Sequence, residues 1–273
     1  MTQAVPERHT DRVAPFEELG QLLDRFKPIG LDDVGEATLL RRTDRKFMIP
    51  VGLLSDVLPR VVDSYRALEI EGGRLSRYST QYFDTPALAL YHEHHRGSRP
   101  RSKVRVRTYL DTGERYLEFK RRISAGGTLK SRVKLPEGTG SGLDLLSSIP
   151  AAEEARIEEL GPLEESVRVR YQRVTLVHST APERVTLDIG LNLSHGGREV
   201  SFPGVVCVEV KQARRTTSQF VDALRALRVI EGSVSKYCLG VVSLVDHAKK
   251  NRFKQIVRRF QEIEARHDRL AVR

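Results

Sequence analysis

Apolar and charged residues alternate with a period of two along much of this chain. A strand sends successive side chains to opposite faces, so strands are what the alternation predicts. The segments run from about Arg41 to Phe47, Tyr78 to Asp84, Lys103 to Leu110, Arg115 to Arg121, Thr128 to Leu135, Val167 to Val177, Arg184 to Ile189 and Val205 to Lys211. Asp111-Thr112-Gly113 and Gly126-Gly127 fall between strands and supply residues that tolerate positive φ, as tight hairpins require. An antiparallel meander follows.

Helices are the minority. Leu53, Leu54, Val57, Leu58 and Val61 are spaced for a helix over 51–64, and another is expected after Asp84-Thr85-Pro86, with Thr85 as cap and Pro86 in the first turn. Further helices are expected over 217–227 and 246–266. The glycine-rich stretch 137–146 reads as a loop, followed by a helix over 151–160; both are taken as an insertion within one barrel, because the flanking strands carry the same kind of charged face. Residues 1–25 read as a mobile N-terminal arm leading into a short helix, 26–245 as one ordered domain, and 246–273 as a charged helix packed outside the barrel.

The polar faces of the strands are unusual because they are mainly cationic. Lys103, Arg105 and Arg107 share one face, opposite Val104 and Val106; Lys130, Arg132 and Lys134 share another; Glu118 and Lys120, Arg184 and Asp188, and Glu209 and Lys211 behave alike. A single such strand is adequately explained by a solvated surface. A set of them is not, since like charges across a strand pair repel and need an offsetting anion. If eight strands close on themselves, these faces converge on a lumen wide enough for one narrow ligand.

Composition agrees with a polyanionic partner: 46 Lys and Arg stand against 36 Asp and Glu, a net charge of +10. Cys207 and Cys238 lack metal-ligand spacing and read as buried free thiols. No signal-peptide core or uncharged apolar run of bilayer length is found, so the expected location is the cytoplasm. His92, His94 and His95 read as a solvated helix face, Tyr78, Tyr82 and Tyr91 as packing residues, and the serines form no nucleophilic constellation.

The ordered motifs Arg42-Thr43-Asp44-Arg45-Lys46-Phe47, Tyr82-Phe83-Asp84-Thr85-Pro86, Lys103-Val104-Arg105-Val106-Arg107, Leu117-Glu118-Phe119-Lys120, Tyr171-Gln172-Arg173, Arg184-Val185-Thr186-Leu187-Asp188, Val208-Glu209-Val210-Lys211 and Ser235-Lys236-Tyr237 extend from about Phe26 to Leu244. Together they resemble the VTC-type polyphosphate polymerase domain of the triphosphate tunnel metalloenzyme (CYTH-like) superfamily. The resemblance implies an α+β fold built on a closed eight-stranded antiparallel β-barrel with peripheral helices. It implies phosphate contacts from Lys46, Arg105, Arg107, Lys120, Lys130, Arg173, Arg184 and Lys236, with Lys211 beside them, and a metal, Mn2+ or Mg2+, held by Glu209. Arg132, Lys134 and Asp188 are possible lining residues.

Many superfamily members carry Glu-x-Glu-x-Lys on the first strand, where this chain has Arg42, Asp44 and Lys46. That departure resembles the polymerase branch. The activity implied is transfer of the terminal phosphoryl group of ATP to a growing polyphosphate chain, with positioning and electrostatics supplying the catalysis. Metal-dependent hydrolysis of inorganic triphosphate, with Asp44 or Glu118 orienting water, is one alternative; a non-catalytic polyphosphate sensor is another. A nucleic-acid binder would need stacking aromatics between its cations, and this chain has no Trp.

Overall fold

The structure is a computed structural model and describes residues 14–34, 43–124, 127–136, 161–214 and 216–271. Arg42 and the helix expected over 151–160 lie outside them, as do the whole glycine-rich stretch 137–146 and Gly126. Eight strands form one continuous antiparallel path: β2 (Thr43–Pro50), β11 (Val205–Gln212), β9 (Glu183–His195), β8 (Glu164–His178), β4 (Ser76–Asp84), β5 (Arg101–Tyr109), β6 (Arg115–Arg122) and β7 (Thr128–Leu135). Three short strands extend it. β10 (Arg198–Phe202) joins β9; β3 (Tyr65–Leu68) pairs with β8 and, in parallel, with β1 (Lys27–Ile29).

The closed barrel expected from the resemblance is not what the hydrogen bonds describe. Among the described residues β2 and β7 are the two ends of the path and do not pair with each other. Alternation reports the two faces of a strand, whereas closure depends on tilt and stagger across the whole sheet, which no single strand encodes. The sheet nevertheless curls, because side chains from β2, β7 and every strand between them line one cavity.

Helices cover the outer apolar face. α1 (Ala14–Asp24) buries Leu19 and Leu23, ahead of the boundary expected at Phe26, against the short α2 (Leu54–Val57) and the α4 helix (Gln219–Ala226) over β2, β8, β9 and β11. The helix expected over 51–64 is instead a 3-10 turn, one turn of α-helix and a second 3-10 turn carrying Pro59, whose missing N–H cannot continue an α-helical ladder. Leu90 of α3 (Ala89–Arg96) packs with Val104, Val106, Leu117 and Phe119 behind β5 and β6.

α5 (Lys236–Leu244) was not anticipated as a helix, because its 3.6-residue periodicity is lost in an almost wholly buried apolar segment. The charged α6 (Lys254–Ala271) lies outside the sheet and buries Phe260 against Phe202, with ring centroids 5.1 Å apart. Gly113 adopts φ +73° in the β5–β6 hairpin, the conformation its turn sequence called for.

Asp84 explains the Tyr82–Pro86 motif locally. Its buried carboxylate accepts from the backbone N–H groups of Thr85, Leu90 and Tyr91 and from the Tyr237 hydroxyl, so it caps α3 and ties that helix to α5. The helix starts at Ala89, three residues after Pro86, and Thr85 still contributes by accepting from Ala89 N–H.

Candidate functional site

The concave side of the sheet encloses a cavity of about 660 Å³. Lys46, Arg105, Arg107, Lys120, Lys130, Arg173, Arg184, Glu209, Lys211 and Lys236 all stand on its wall, whereas Lys134, expected as a possible lining residue, does not: near the end of β7 its side chain is 63% exposed and donates to Glu114 at 2.6 Å. Lys103 and Arg132 join them, making eleven cations against the five carboxylates of Asp44, Glu114, Glu118, Asp188 and Glu209. The difference leaves a strongly positive concavity with low-dielectric walls, which focuses field on an anionic ligand.

Strand register determines the neighbours. Glu209 sits opposite Lys46 on β2 and Thr186 on β9, while Lys211 sits opposite Asp44 and Arg184. Arg173 faces Asp188, and Arg105 faces Tyr82 on one side and Glu118 on the other. Across β5, β6 and β7 the pattern changes: Lys103, Lys120 and Lys130 form a row of three ammonium groups with no acid interposed.

The carboxylates are held tightly. Lys46 Nζ donates to Glu209 Oε1 and Lys211 Nζ to Oε2, so both oxygens carry a cation. Burial works to raise the Glu209 carboxyl, but Lys211 and Lys46 overcome it and hold it well below the usual carboxylate range. Arg173 donates twice to Asp188 (2.5 and 2.9 Å) and Lys236 donates to Oδ2 (2.5 Å); burial is again overcome, and Asp188 is held low. Glu118 receives Arg105 at 2.6 Å, with Arg107 at 3.7 Å and Arg132 at 3.8 Å, and is likewise lowered against the effect of burial.

The lysines respond in the opposite sense. Burial pushes Lys211 down to about 8; its pairing with Glu209 resists, and Arg173 and Arg184 add to the push. Burial and then Lys103 push Lys120 down to about 8 as well, opposed by Asp44 and Glu209. Arg107 Nε and Thr186 Oγ1 are buried and have no hydrogen-bond partner among the described residues, which leaves two polar groups at the wall for a ligand to satisfy.

A pH dependence follows from these lysines. Both are cationic below about 8 and neutral above it, whereas a phosphate ligand favours the cation, so binding near pH 8 takes up protons. Tripolyphosphate affinity is expected to fall about tenfold per lysine between pH 7.5 and 9. Calorimetry in two buffers of different ionisation heat would measure the uptake, and a pH-independent affinity with no uptake would refute it. For the ligand-free protein the sign reverses: the unfolded chain binds more protons between about pH 8 and 10.5, so these two groups add stability as pH rises there.

The donor set does not fit a pre-formed metal centre. Carboxylate oxygen suits Mn2+ or Mg2+ in kind, but both oxygens of Glu209 are occupied by ammonium groups, and those of Asp188 and Glu118 are engaged by their own cations. No group of three or more His, Cys, Asp or Glu side chains is placed for a metal among the described residues. Cys207 and Cys238 are free and buried.

Several features of the site were not read from the sequence. Tyr78 and Tyr82, taken as packing residues, line the cavity with Tyr171, Tyr109 and Tyr116. They alternate on the same faces as the cations, and that parity was the available signal. Tyr78 and Tyr171 stack at 5.2 Å with rings 2° from parallel, and Arg173 lies 5.1 Å from the Tyr78 centroid, so the aromatics also brace the guanidinium groups. The His92–His95 segment is only in part a solvated face: His94 Nε2 lies 3.1 Å from Ser102 O, and burial with Lys103 nearby pushes its imidazole down to about 3.

The two ends of the cavity differ. At one, the N-terminus of α5 is seated across the sheet: Lys103 Nζ donates to Ser235 Oγ at 2.8 Å, and Tyr237 stacks on Tyr82 at 5.2 Å. At the other are the start of β4 and the β5–β6 hairpin, with Thr112, Glu114, Tyr109 and Tyr116. No helix among the described residues is long and apolar enough to cross a membrane.

A family model described as the VTC domain matches residues 41–245. No curated protein matches the chain. Among solved structures, a putative adenylate cyclase from Bacillus halodurans is 16% identical with a TM-score of 0.43, covering 77% of this chain and 96% of that one. A putative adenylyl cyclase from Hippeastrum, described as having a dominant triphosphatase activity, is 13% identical with a TM-score of 0.48, covering 74% and 97%. A conserved hypothetical protein from Pyrococcus furiosus is 15% identical with a TM-score of 0.36, covering 71% and 95%.

Proposed function

The chain belongs to the VTC domain family, and on that footing we propose that it is a polyphosphate polymerase-like phosphotransferase, moving the terminal phosphoryl group of ATP onto a phosphate chain held in the cationic cavity. The observation that carries this reading is the state of the carboxylates. Glu118, Asp188 and Glu209 are all held below their ordinary range by cations, which makes these three poor bases for activating water, and Asp44, the other candidate for orienting water, stands opposite Lys211. A phosphate acceptor is already anionic and needs no such base.

The chain's own residues do the rest. Arginine forks at 105, 107 and 173 orient equatorial oxygens, and the ammonium groups of Lys46, Lys120, Lys130, Lys211 and Lys236 offset charge that spreads over the moving group. Arg184, beside Lys211, extends the same wall. A divalent cation, if the reaction uses one, would take most of its ligands from phosphate and water, since Glu209 offers no free oxygen.

One observation bears on the runner-up, an inorganic triphosphatase: the N-terminus of α5 stands at one end of a cavity of about 660 Å³, an arrangement compatible with a short phosphate chain. The test is purified protein with ATP and Mn2+, resolved on a gel for polyphosphate, with orthophosphate release from tripolyphosphate measured in parallel. Chain growth supports the polymerase. Orthophosphate without growth would replace it with the triphosphatase, and tight tripolyphosphate binding with neither product would indicate a sensor.

A further inference from the structure

The α5 end of the cavity carries the row Lys103, Lys120 and Lys130 with the Tyr82–Tyr237 stack, and the end at the β5–β6 hairpin carries Tyr109 and Tyr116 with Arg107 and Arg132. Tyr109 ends β5, and Tyr116 lies at the start of β6 opposite Arg107. Their rings meet edge to face at 5.7 Å. Arg132 of β7 places its guanidinium carbon 3.6 Å from the Tyr116 centroid, and its Nη2 donates to the Tyr109 hydroxyl at 2.8 Å. One face of a planar cation is thereby laid on a ring and its edge is pinned. The Arg132 guanidinium carbon also lies 5.5 Å from the Tyr109 centroid, and 48% of the side chain remains exposed.

Arg132 is not needed to neutralise Glu118. Arg105 already donates to that carboxylate at 2.6 Å, while Arg132 stands 3.8 Å away. The same mouth carries aliphatic side chains that a bare phosphate chain would not use: Leu31, 65% exposed, with Leu68 and Ile70 from the segment that enters β4. At the opposite end, among the described residues, Tyr82 is already stacked on Tyr237 of α5.

From this polarity we infer that Arg132, stacked on Tyr116 and held by Tyr109, is a platform for the base of a nucleoside triphosphate, whose phosphates then run inward along the cation rows. The inference rests on the phosphate-chain reading above and adds which end the nucleoside occupies. Bases stack on arginine planes and aromatic rings with little regard to sequence, so purine and pyrimidine nucleotides should both profit. Inorganic tripolyphosphate should not.

Calorimetric affinities of ATP, CTP and tripolyphosphate for the wild type, Arg132→Lys and Tyr116→Leu test this. Arg132→Lys keeps the charge and removes the plane. It is expected to weaken ATP about tenfold, the order contributed by one stacked base, while changing tripolyphosphate less than twofold. Tyr116→Leu should do the same, and Arg132→Lys alone suffices if that variant fails to fold. Unchanged ATP affinity, or equal losses for ATP and tripolyphosphate, would overturn the platform and leave the phosphate-chain reading standing. A wild type that binds neither ligand would overturn both.

Discussion

Glu209→Gln is expected to tighten tripolyphosphate binding about tenfold in metal-free, low-salt buffer and, on the proposed function, to lower turnover at least a hundredfold. The carboxylate competes with phosphate for Lys46 and Lys211, because each of its oxygens occupies one of the two ammonium groups. Removing one negative charge a few ångström from a bound polyanion is worth about 3 kcal/mol at an effective dielectric near 20, and screening reduces that towards the 1.4 kcal/mol of a tenfold change.

Turnover should fall for a different reason. Glu209 fixes where the two lysines stand, and catalysis by positioned charge is lost when the charges wander. Calorimetry and steady-state rates on one preparation separate the two effects. Weaker metal-free binding in the variant would show that Glu209 does not compete for these lysines, and unchanged turnover would remove it from the chemistry.

Asp188→Ala is expected to cost about 3–5 kcal/mol of folding stability, the range for removing one partner of a buried ion pair. Asp188 is 3% exposed and receives Arg173 twice and Lys236 once, so its loss strands two cations against Cys207 and the aromatic wall. Because the folded carboxyl titrates well below the unfolded one, its contribution is complete above about pH 4 and disappears as pH falls through the folded value.

The wild type should therefore lose stability on acidification below pH 4, and the variant should show a shallower loss there. Urea titrations at pH 7 and pH 3 measure both. A penalty under about 1 kcal/mol at neutral pH would mean that the triad is loosely held, as exposed pairs are.

The concave wall was legible because strand parity is a local property. Arg105 and Arg107 point the same way whatever the rest of the sheet does, and the same holds for Glu209 and Lys211. Strand parity marked the cationic faces of β5, β6, β7, β9 and β11, while Lys46, Arg173 and Lys236 were reached through the resemblance. Tyr78 and Tyr82 also line the cavity, although an aromatic residue on a strand usually indicates core. The α5 helix was hidden for a related reason: a buried helix loses the polar stripe that reveals its period.

By itself, then, the sequence determined the strand faces, the cationic character of the site, the two free thiols and the family. The faces, the charge and the thiols depend on side-chain chemistry within a few positions, and the family on the order of short motifs along residues 41–245. Three features were decided only by the tertiary structure. The β2 and β7 edges do not pair, since closure is a property of the whole sheet. Glu209 stands between Lys46 and Lys211 rather than open to a metal, since β2 and β11 bring together residues 163 positions apart. The two ends of the cavity differ, since the N-terminus of α5 brings Ser235, Lys236 and Tyr237 to one and the β5–β6 hairpin brings Tyr109 and Tyr116 to the other.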